Sequence, residues 1–259
     1  MCGIAGIFRK DCQPVDLQTL GSMAEAMALR GPDGEGFHVD GPFGLAHRRL
    51  SILDLAGGAQ PIANEDNTVF TVVNGEFYNY PELRKSLEMK GHCFRTDSDS
   101  ECAVHLYEEY GTAFPEHLTG MFALAVYDSR KKSLFLARDR AGEKPLFLLN
   151  TKELFAFASD LNALKRIPGV EWRLNCDALA DYLTFMYTPG RATVYRNAFE
   201  DAAGLAGFSS DPNIRIENGS LTAEFKNRIE YRTISKTLSI IAWVIMWMKS
   251  SVTSWLVSF

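Results

Sequence analysis

The sequence predicts an α+β fold, and three observations carry that prediction. Apolar runs of strand length recur at 2–8, 68–73, 121–128, 133–138 and 154–158. Residues 16–29 and 99–110 instead place apolar side chains at helical spacing. Glycine- and proline-bearing breaks such as RGPDG at 30–34 and GGAQP at 57–61 separate these stretches. A sheet-rich region with two or three helices is an α+β pattern.

Taken in order, CGIAGIF at 2–8 predicts a buried strand in which Gly3 and Gly6 leave room for close backbone contacts. Apolar positions 17, 20, 23, 24, 27 and 28 predict a helix over 16–29, broken by RGPDG. Strands follow near 35–40 and 43–47. Thr68–Val73 predicts a strongly apolar strand that runs into Asn74, Gly75 and Glu76. Pro81–Lys90 predicts a helix with proline in its first turn. Asp99–Tyr110 predicts a second amphipathic helix, and Met121–Asp128, Ser133–Arg138 and Leu154–Ala158 predict successive strands. Asn175 is placed to cap a helix at Asp177–Tyr187, ended by Pro189. From about residue 196 no consistent period remains.

The 259 residues carry 46% hydrophobic and 23% charged residues, a globular balance. A formal net charge of −5 argues against a nucleic-acid partner. The five cysteines form no C-x-x-C pair, so no zinc or thioredoxin-type motif is expected and no metal ligands are assigned. Their odd count and irregular spacing fit a reducing cytoplasm better than a disulfide framework. No basic segment precedes the apolar start, so no signal peptide is expected. The apolar run 238–248 before Lys249 is too short to span a bilayer, and a membrane anchor is not favoured.

Cys2 is the chemical candidate. With Met1 removed, one residue offers a thiol nucleophile and an α-amine whose reference pKa is about 7.7–8.0, a base that can take the thiol proton. The histidines at 38, 47, 92, 105 and 117 sit in no triad-like context and read as surface or satisfied, partly buried side chains. Acyl transfer also needs oxyanion donors. Asn74 offers a side-chain amide and Gly75 a closely approachable backbone N–H, although Asn-Gly alone is also a common turn dipeptide. Arg49 can clamp a carboxylate, and Arg48 serves equally on chemistry alone. Asp99, with a backbone carbonyl near Gly75 or Glu76, can hold an ammonium.

Eight blocks in this order resemble the class II glutamine amidotransferases, in their asparagine synthetase branch: CGIAGIF (2–8), RGPDGEGF (30–37), AHRRLSILDL (46–55), GAQPI (58–62), VNGEFYNY (73–80), TDSDSE (96–101), GMFALAVYD (120–128) and ARDRAGEKPLF (137–147). The resemblance implies an N-terminal-nucleophile hydrolase fold, a four-layer αββα sandwich of two antiparallel sheets between helical layers. It implies Cys2 as nucleophile and Asn74 with Gly75 as the oxyanion hole. Arg49 and the backbone of Leu50, Ser51, Ile52 and Leu53 would bind the glutamine carboxylate, with Glu76 and Asp99 near its amino end. Arg30–Asp33 falls in the family's glutamine-site loop. The glutaminase step needs no cofactor. ATP and Mg belong to a synthetase domain that passes the ammonia to aspartate.

Three departures are visible. Leu29 stands where the family has His, and Ala141 and Glu143 replace apolar residues, which is expected to weaken packing or a domain contact. The third is larger: no SGG-x-DS loop occurs anywhere in the chain. Residues 1–170 are therefore read as the amidotransferase domain. Residues 171–195 are read as a linker and a short helical start of a synthetase domain, and 196–259 as an irregular tail of a truncated or frame-shifted product. A weakly active glutamine-binding fragment and a nonfunctional product are the alternatives.

Overall fold

The computed structural model describes residues 1–52, 54, 57–201 and the backbone of 206–209. The elements run β1 (Gly3–Arg9), α1 (Leu17–Glu25), β2 (Gly34–Asp40), β3 (Phe43–Arg49), β4 (Ile62–Ala63), β5 (Val69–Phe77), α2 (Tyr80–Met89) and α3 (Cys102–Tyr110). They continue through β6 (Gly120–Asp128), β7 (Ser133–Arg138), β8 (Phe147–Asn150), β9 (Leu154–Ala158), α4 (Leu161–Leu164), α5 (Cys176–Phe185), β10 (Ala198–Glu200) and β11 (Ala206–Ser209).

Two antiparallel sheets form, one of six strands in the order β10-β8-β9-β1-β3-β2 and one of five in the order β11-β7-β6-β5-β4. Successive side chains of a strand point to opposite faces, and here both faces are buried. Ile4 packs between the sheets while Ala5 faces the layer of α1 and α4. Val72 packs between the sheets while Val73 faces the layer holding α3. This double burial is why the strands read as unbroken apolar runs rather than alternations. The result is the four-layer αββα sandwich. At Gly6 a Cβ would stand 2.3 Å from a Phe157 ring carbon, so the glycine lets β1 lie under that ring.

Several boundaries shift for physical reasons. Asp16 caps α1 by accepting from the Gln18 and Thr19 N–H groups, but the helix stops at Glu25 and tight turns lead on to Arg30. The chain must turn early to bring Gly31 against Arg48, where a Cβ would stand 2.3 Å from the Arg48 carbonyl carbon. The helix expected from Asp99 begins instead as a single 3-10 turn, Asp99–Glu101, before α3. Asn74 and Gly75 are not a turn: β5 runs through them to Phe77, paired with β6 along its whole length. Asn175 caps α5 by accepting from the Ala178 N–H, and left-handed Met186 ends that helix before Pro189 is reached.

Within the stretch assigned above to an irregular tail, Ala198–Glu200 instead extends the six-stranded sheet. Strand β10 pairs with β8, and the Glu200 carboxylate and Asp201 carbonyl both accept from Arg138. The backbone of β11 pairs with β7. Three residues are too short a strand to show a period, which is why the sequence pattern missed β10. Residues 202–205 and 210–259, including the apolar run 238–248, lie outside the described residues. Among the described residues no helix is long and apolar enough to cross a membrane.

Candidate functional site

Cys2 stands immediately before β1, the strand held between β9 and β3 at the centre of the six-stranded sheet. The Leu50 N–H lies 3.4 Å from its Sγ and donates to it, and the Leu50 carbonyl lies 3.6 Å from the same sulfur. Arg30 Nε donates to the Cys2 carbonyl at 3.3 Å. The thiol is thus held by the chain leaving β3, and the Cys2 backbone by the loop after α1. Met1 lies over the same pocket, with its sulfur 3.6 Å from the Lys144 ammonium.

The facing wall comes from β5. Asn74 and Gly75 line the pocket with Cys2. The Asn74 side chain is 1% exposed, and its amide nitrogen makes no hydrogen bond within the protein. A buried amide N–H without an acceptor costs about 1–3 kcal/mol. Such a group in a pocket is poised to donate to a ligand. Gly75 is fixed by packing, because a Cβ there would stand 2.1 Å from the Met121 carbonyl oxygen.

The two arginines of HRR separate. Neighbouring residues on a strand point to opposite faces. Arg48 turns away from the pocket, donating to Glu35 at 2.8 Å and to the Gly31 carbonyl at 3.0 Å. Arg49 lines the pocket and donates to the Asp54 carbonyl. Leu50 and Ile52 also line it. Ser51 does not; its N–H donates to Asp33 at 2.7 Å, which ties the RGPD loop to this segment. Leu53 lies outside the described residues.

Glu76 and Asp99 bring two acidic residues to the pocket lining. Asp99 is 4% exposed and accepts from the Phe77 N–H at 2.7 Å. Burial pushes its pKa up, with the Glu76 charge adding to the rise and the Phe77 and Ser100 backbone bonds opposing it. Beside the pocket, His47 is 1% exposed. Burial pushes its pKa down to about 4, the Arg49 charge adds to the fall, and the Val73 backbone opposes it.

Several lining residues were not singled out from the sequence, Gln60 and Lys144 among them. Gln60 is bonded to β5 through both ends of its amide: Oε1 accepts from the Val73 N–H at 2.6 Å and Nε2 donates to the Val73 carbonyl at 3.3 Å. Its place inside the GAQPI block is the signal that pointed to it. Lys144 is 8% exposed and is set by a tight loop in which Asp139 accepts from the N–H groups of Ala141, Glu143 and Lys144. Arg138 braces that loop by donating to the Gly142 and Lys144 carbonyls. The departures Ala141 and Glu143 sit on this loop's exposed side, so they do not weaken interior packing. Leu29 is likewise fully exposed.

Two of the five histidines depart from expectation, while His38 and His92 are partly buried and His117 is exposed. His47 and His105 are fully buried rather than superficial or partly buried and satisfied, and no ring nitrogen of either has a hydrogen-bond partner.

Comparison with known proteins bears on the whole arrangement. Residues 1–215 match the glutamine amidotransferase domain family. Asparagine synthetase [glutamine-hydrolyzing] 2 of Bacillus subtilis is 46% identical over 70% of this chain and 24% of its own length. Asparagine synthetase [glutamine-hydrolyzing] 2 of Arabidopsis thaliana is 42% identical over 94% of this chain and 45% of its own. The chain thus spans less than half the length of either relative. The second alignment carries the likeness past residue 200, into the stretch read above as an irregular tail. Among solved structures, the glutamine phosphoribosylpyrophosphate amidotransferase of B. subtilis superposes with a TM-score of 0.59 at 17% identity. It covers 91% of this chain and 50% of that one, a likeness of fold alone.

Proposed function

This chain belongs to the class II glutamine amidotransferase family, in its asparagine synthetase branch, and from that premise we propose that Cys2 hydrolyses the side-chain amide of glutamine. Removal of Met1 exposes the α-amine and clears the residue that lies over the pocket. The amine takes the thiol proton, and the thiolate attacks the amide carbon. The oxyanion that forms is held by the Asn74 side-chain amide and the Gly75 N–H. The amine returns its proton to the leaving nitrogen, ammonia departs, and water cleaves the thioester to glutamate. Arg49, with the Leu50 to Leu53 segment, holds the glutamine carboxylate. Glu76 and Asp99 hold its ammonium.

The single observation that carries this reading is the buried Asn74 amide N–H without an acceptor, in the same pocket as Cys2. Preorganised donors of this kind stabilise the charge that develops in acyl transfer. The step uses no cofactor. In a longer protein the ammonia would pass to an acceptor, aspartate by the names of the relatives. ATP and Mg would serve that amidation, and with no SGG-x-DS loop among its 259 residues the chain does not fit them, so no step here runs through them. A cytoplasmic location fits a biosynthetic role of this kind.

The test is ammonia release from glutamine by the purified chain, with intact mass measured on the same sample. Turnover that Cys2→Ala abolishes, on protein lacking Met1, supports the proposal. Full activity in Cys2→Ala, or in protein that retains Met1, overturns it.

A further inference from the structure

We propose that Glu65, His92, His105 and Glu108 form a binding site for a divalent first-row transition metal, zinc foremost, on the outer helical side of the five-stranded sheet, apart from the Cys2 pocket. The four residues come from three segments. Glu65 is in the turn between β4 and β5, His92 in the loop after α2, and His105 and Glu108 share one face of α3. One donor atom from each lies within 4.8 Å of all the others.

The separations point to a shared ion rather than to hydrogen bonds. His92 Nδ1 lies 3.5 Å from Glu65 Oε1 and 3.9 Å from Glu108 Oε2. His105 Nδ1 lies 3.6 Å from Glu65 Oε2 and 3.7 Å from Glu108 Oε2. These distances are at or beyond the useful range of an N–H···O bond, about 2.7–3.2 Å. Ligands about 2.0–2.2 Å from a tetrahedral ion stand about 3.3–3.6 Å from one another, so the two Glu65 contacts match and the two Glu108 contacts, at 3.7 and 3.9 Å, would close slightly on the ion. Both histidines present Nδ1 to the common centre.

The second observation is His105 itself. Its side chain is 1% exposed, and neither ring nitrogen has a hydrogen-bond partner. Burying an imidazole with no hydrogen bond, only carboxylates at 3.6–3.7 Å, is costly; a metal at Nδ1 would satisfy it.

An outer ring of contacts also fits. His92 Nε2 lies 3.2 Å from Glu109 Oε1, and His105 Nε2 lies 3.6 Å from Glu101 Oε1. His92 therefore has a carboxylate within hydrogen-bond reach of its far nitrogen, which leaves Nδ1 as its lone-pair donor, and Glu101 stands farther off on the same side of His105. Both carboxylate ligands are steadied too. Glu65 accepts from the Cys93 N–H at 3.0 Å and Glu108 from Asn64 Nδ2 at 2.7 Å.

The donor set chooses the metal. Two imidazoles with two carboxylates suit zinc and its first-row neighbours, whereas magnesium and calcium take all-oxygen shells. Four protein ligands close the shell, so the ion braces structure rather than activating water. It would pin the turn, the loop and α3 together, next to the 3-10 turn that delivers Asp99 to the pocket.

The test uses the full chain, stripped with chelator and then dialysed against zinc. One zinc per chain by mass spectrometry, a rise in Tm with zinc, and the visible bands of four-coordinate cobalt on substitution support the site. His105→Ala removes a buried ring and risks misfolding, so the deciding variants are His92→Ala and Glu108→Ala. Each should weaken zinc binding about a hundredfold or more and abolish the zinc-dependent rise in Tm. Cys93→Ser, which removes the nearest exposed thiol, should bind zinc as the parent does. Absence of stoichiometric zinc at micromolar concentration overturns the proposal. So does undiminished affinity in His92→Ala or Glu108→Ala, or loss of binding in Cys93→Ser.

Discussion

His47 and His105 are both buried, and the chain around them treats them oppositely. His47 lies on β3 with a guanidinium nearby and no carboxylate acting on it; burial and Arg49 push its pKa down to about 4. His105 lies on α3 among Glu65, Glu101 and Glu108, with His92 alongside. Burial pulls its pKa down, but the carboxylates outweigh burial and push it up to about 9. The difference teaches that burial alone does not decide charge. One histidine is surrounded as an uncharged filler beneath a pocket that holds an arginine, the other as a centre that gathers negative charge. The same contrast runs between the two sites: in the Cys2 pocket a polar N–H points at space a substrate can take, while in the α3 cluster the polar atoms converge on each other.

The largest expected effect tests the pocket side. Asn74→Ala should lower kcat for glutamine hydrolysis about 100–1,000-fold, since it removes a donor used in the transition state. Stability should change little, because the lost N–H bonds nothing inside the protein. A kcat within a few-fold of the parent would strip Asn74 of its role and leave its burial unexplained.

The next effect tests His47. Unfolded, its pKa is about 6.5; folded, it is about 4. Between those values the unfolded chain binds a proton that the folded chain refuses. Stability should therefore fall as pH drops from about 6.5 towards 4, by about 3 kcal/mol in all. Urea unfolding at pH 7 and pH 4.5 would measure it. The drop should be shallower in His47→Gln; an equal drop in variant and parent would assign it to other groups.

Arg49→Ala and Arg48→Ala form a paired comparison. The first should weaken glutamine binding by roughly 2 kcal/mol or more, about thirtyfold in KM. The second loses only contacts to Glu35 and Gly31 and should leave KM close to that of the parent. If the order reverses, the carboxylate is held elsewhere. The smallest effect lies far from both sites. Asn175→Ala removes the cap of α5 and should cost about 1 kcal/mol of stability, read as a small fall in Tm with turnover unchanged.

Much of this was legible in the residues. Cys2 followed from position and Asn74 from its motif, and the strands at Ser133–Arg138 and Leu154–Ala158 from continuous apolar runs. What stayed hidden depended on which way a side chain turns or on contacts between distant segments. Arg48 and Arg49 are chemically equal until the pleat of β3 sends one to each face. The loop carrying Lys144 is shaped by side-chain acceptance from Asp139, which leaves no hydrophobic period. The α3 cluster draws on residues 65, 92, 105 and 108, and only His105 and Glu108 stand at a spacing that a helix brings together.

Strand β4 is two residues long and is preceded by Pro61, which has no N–H to give. Beyond it β5 would show a bare rim beside the pocket. There the Gln60 side chain takes both the N–H and the carbonyl of Val73, acting as a counterfeit peptide unit in place of a neighbouring strand. A real strand at that position would extend the ladder and invite another chain to join it. An amide on a side chain closes the rim and goes no further, so the pocket can stay open to small molecules while the sheet beside it is shut to strands.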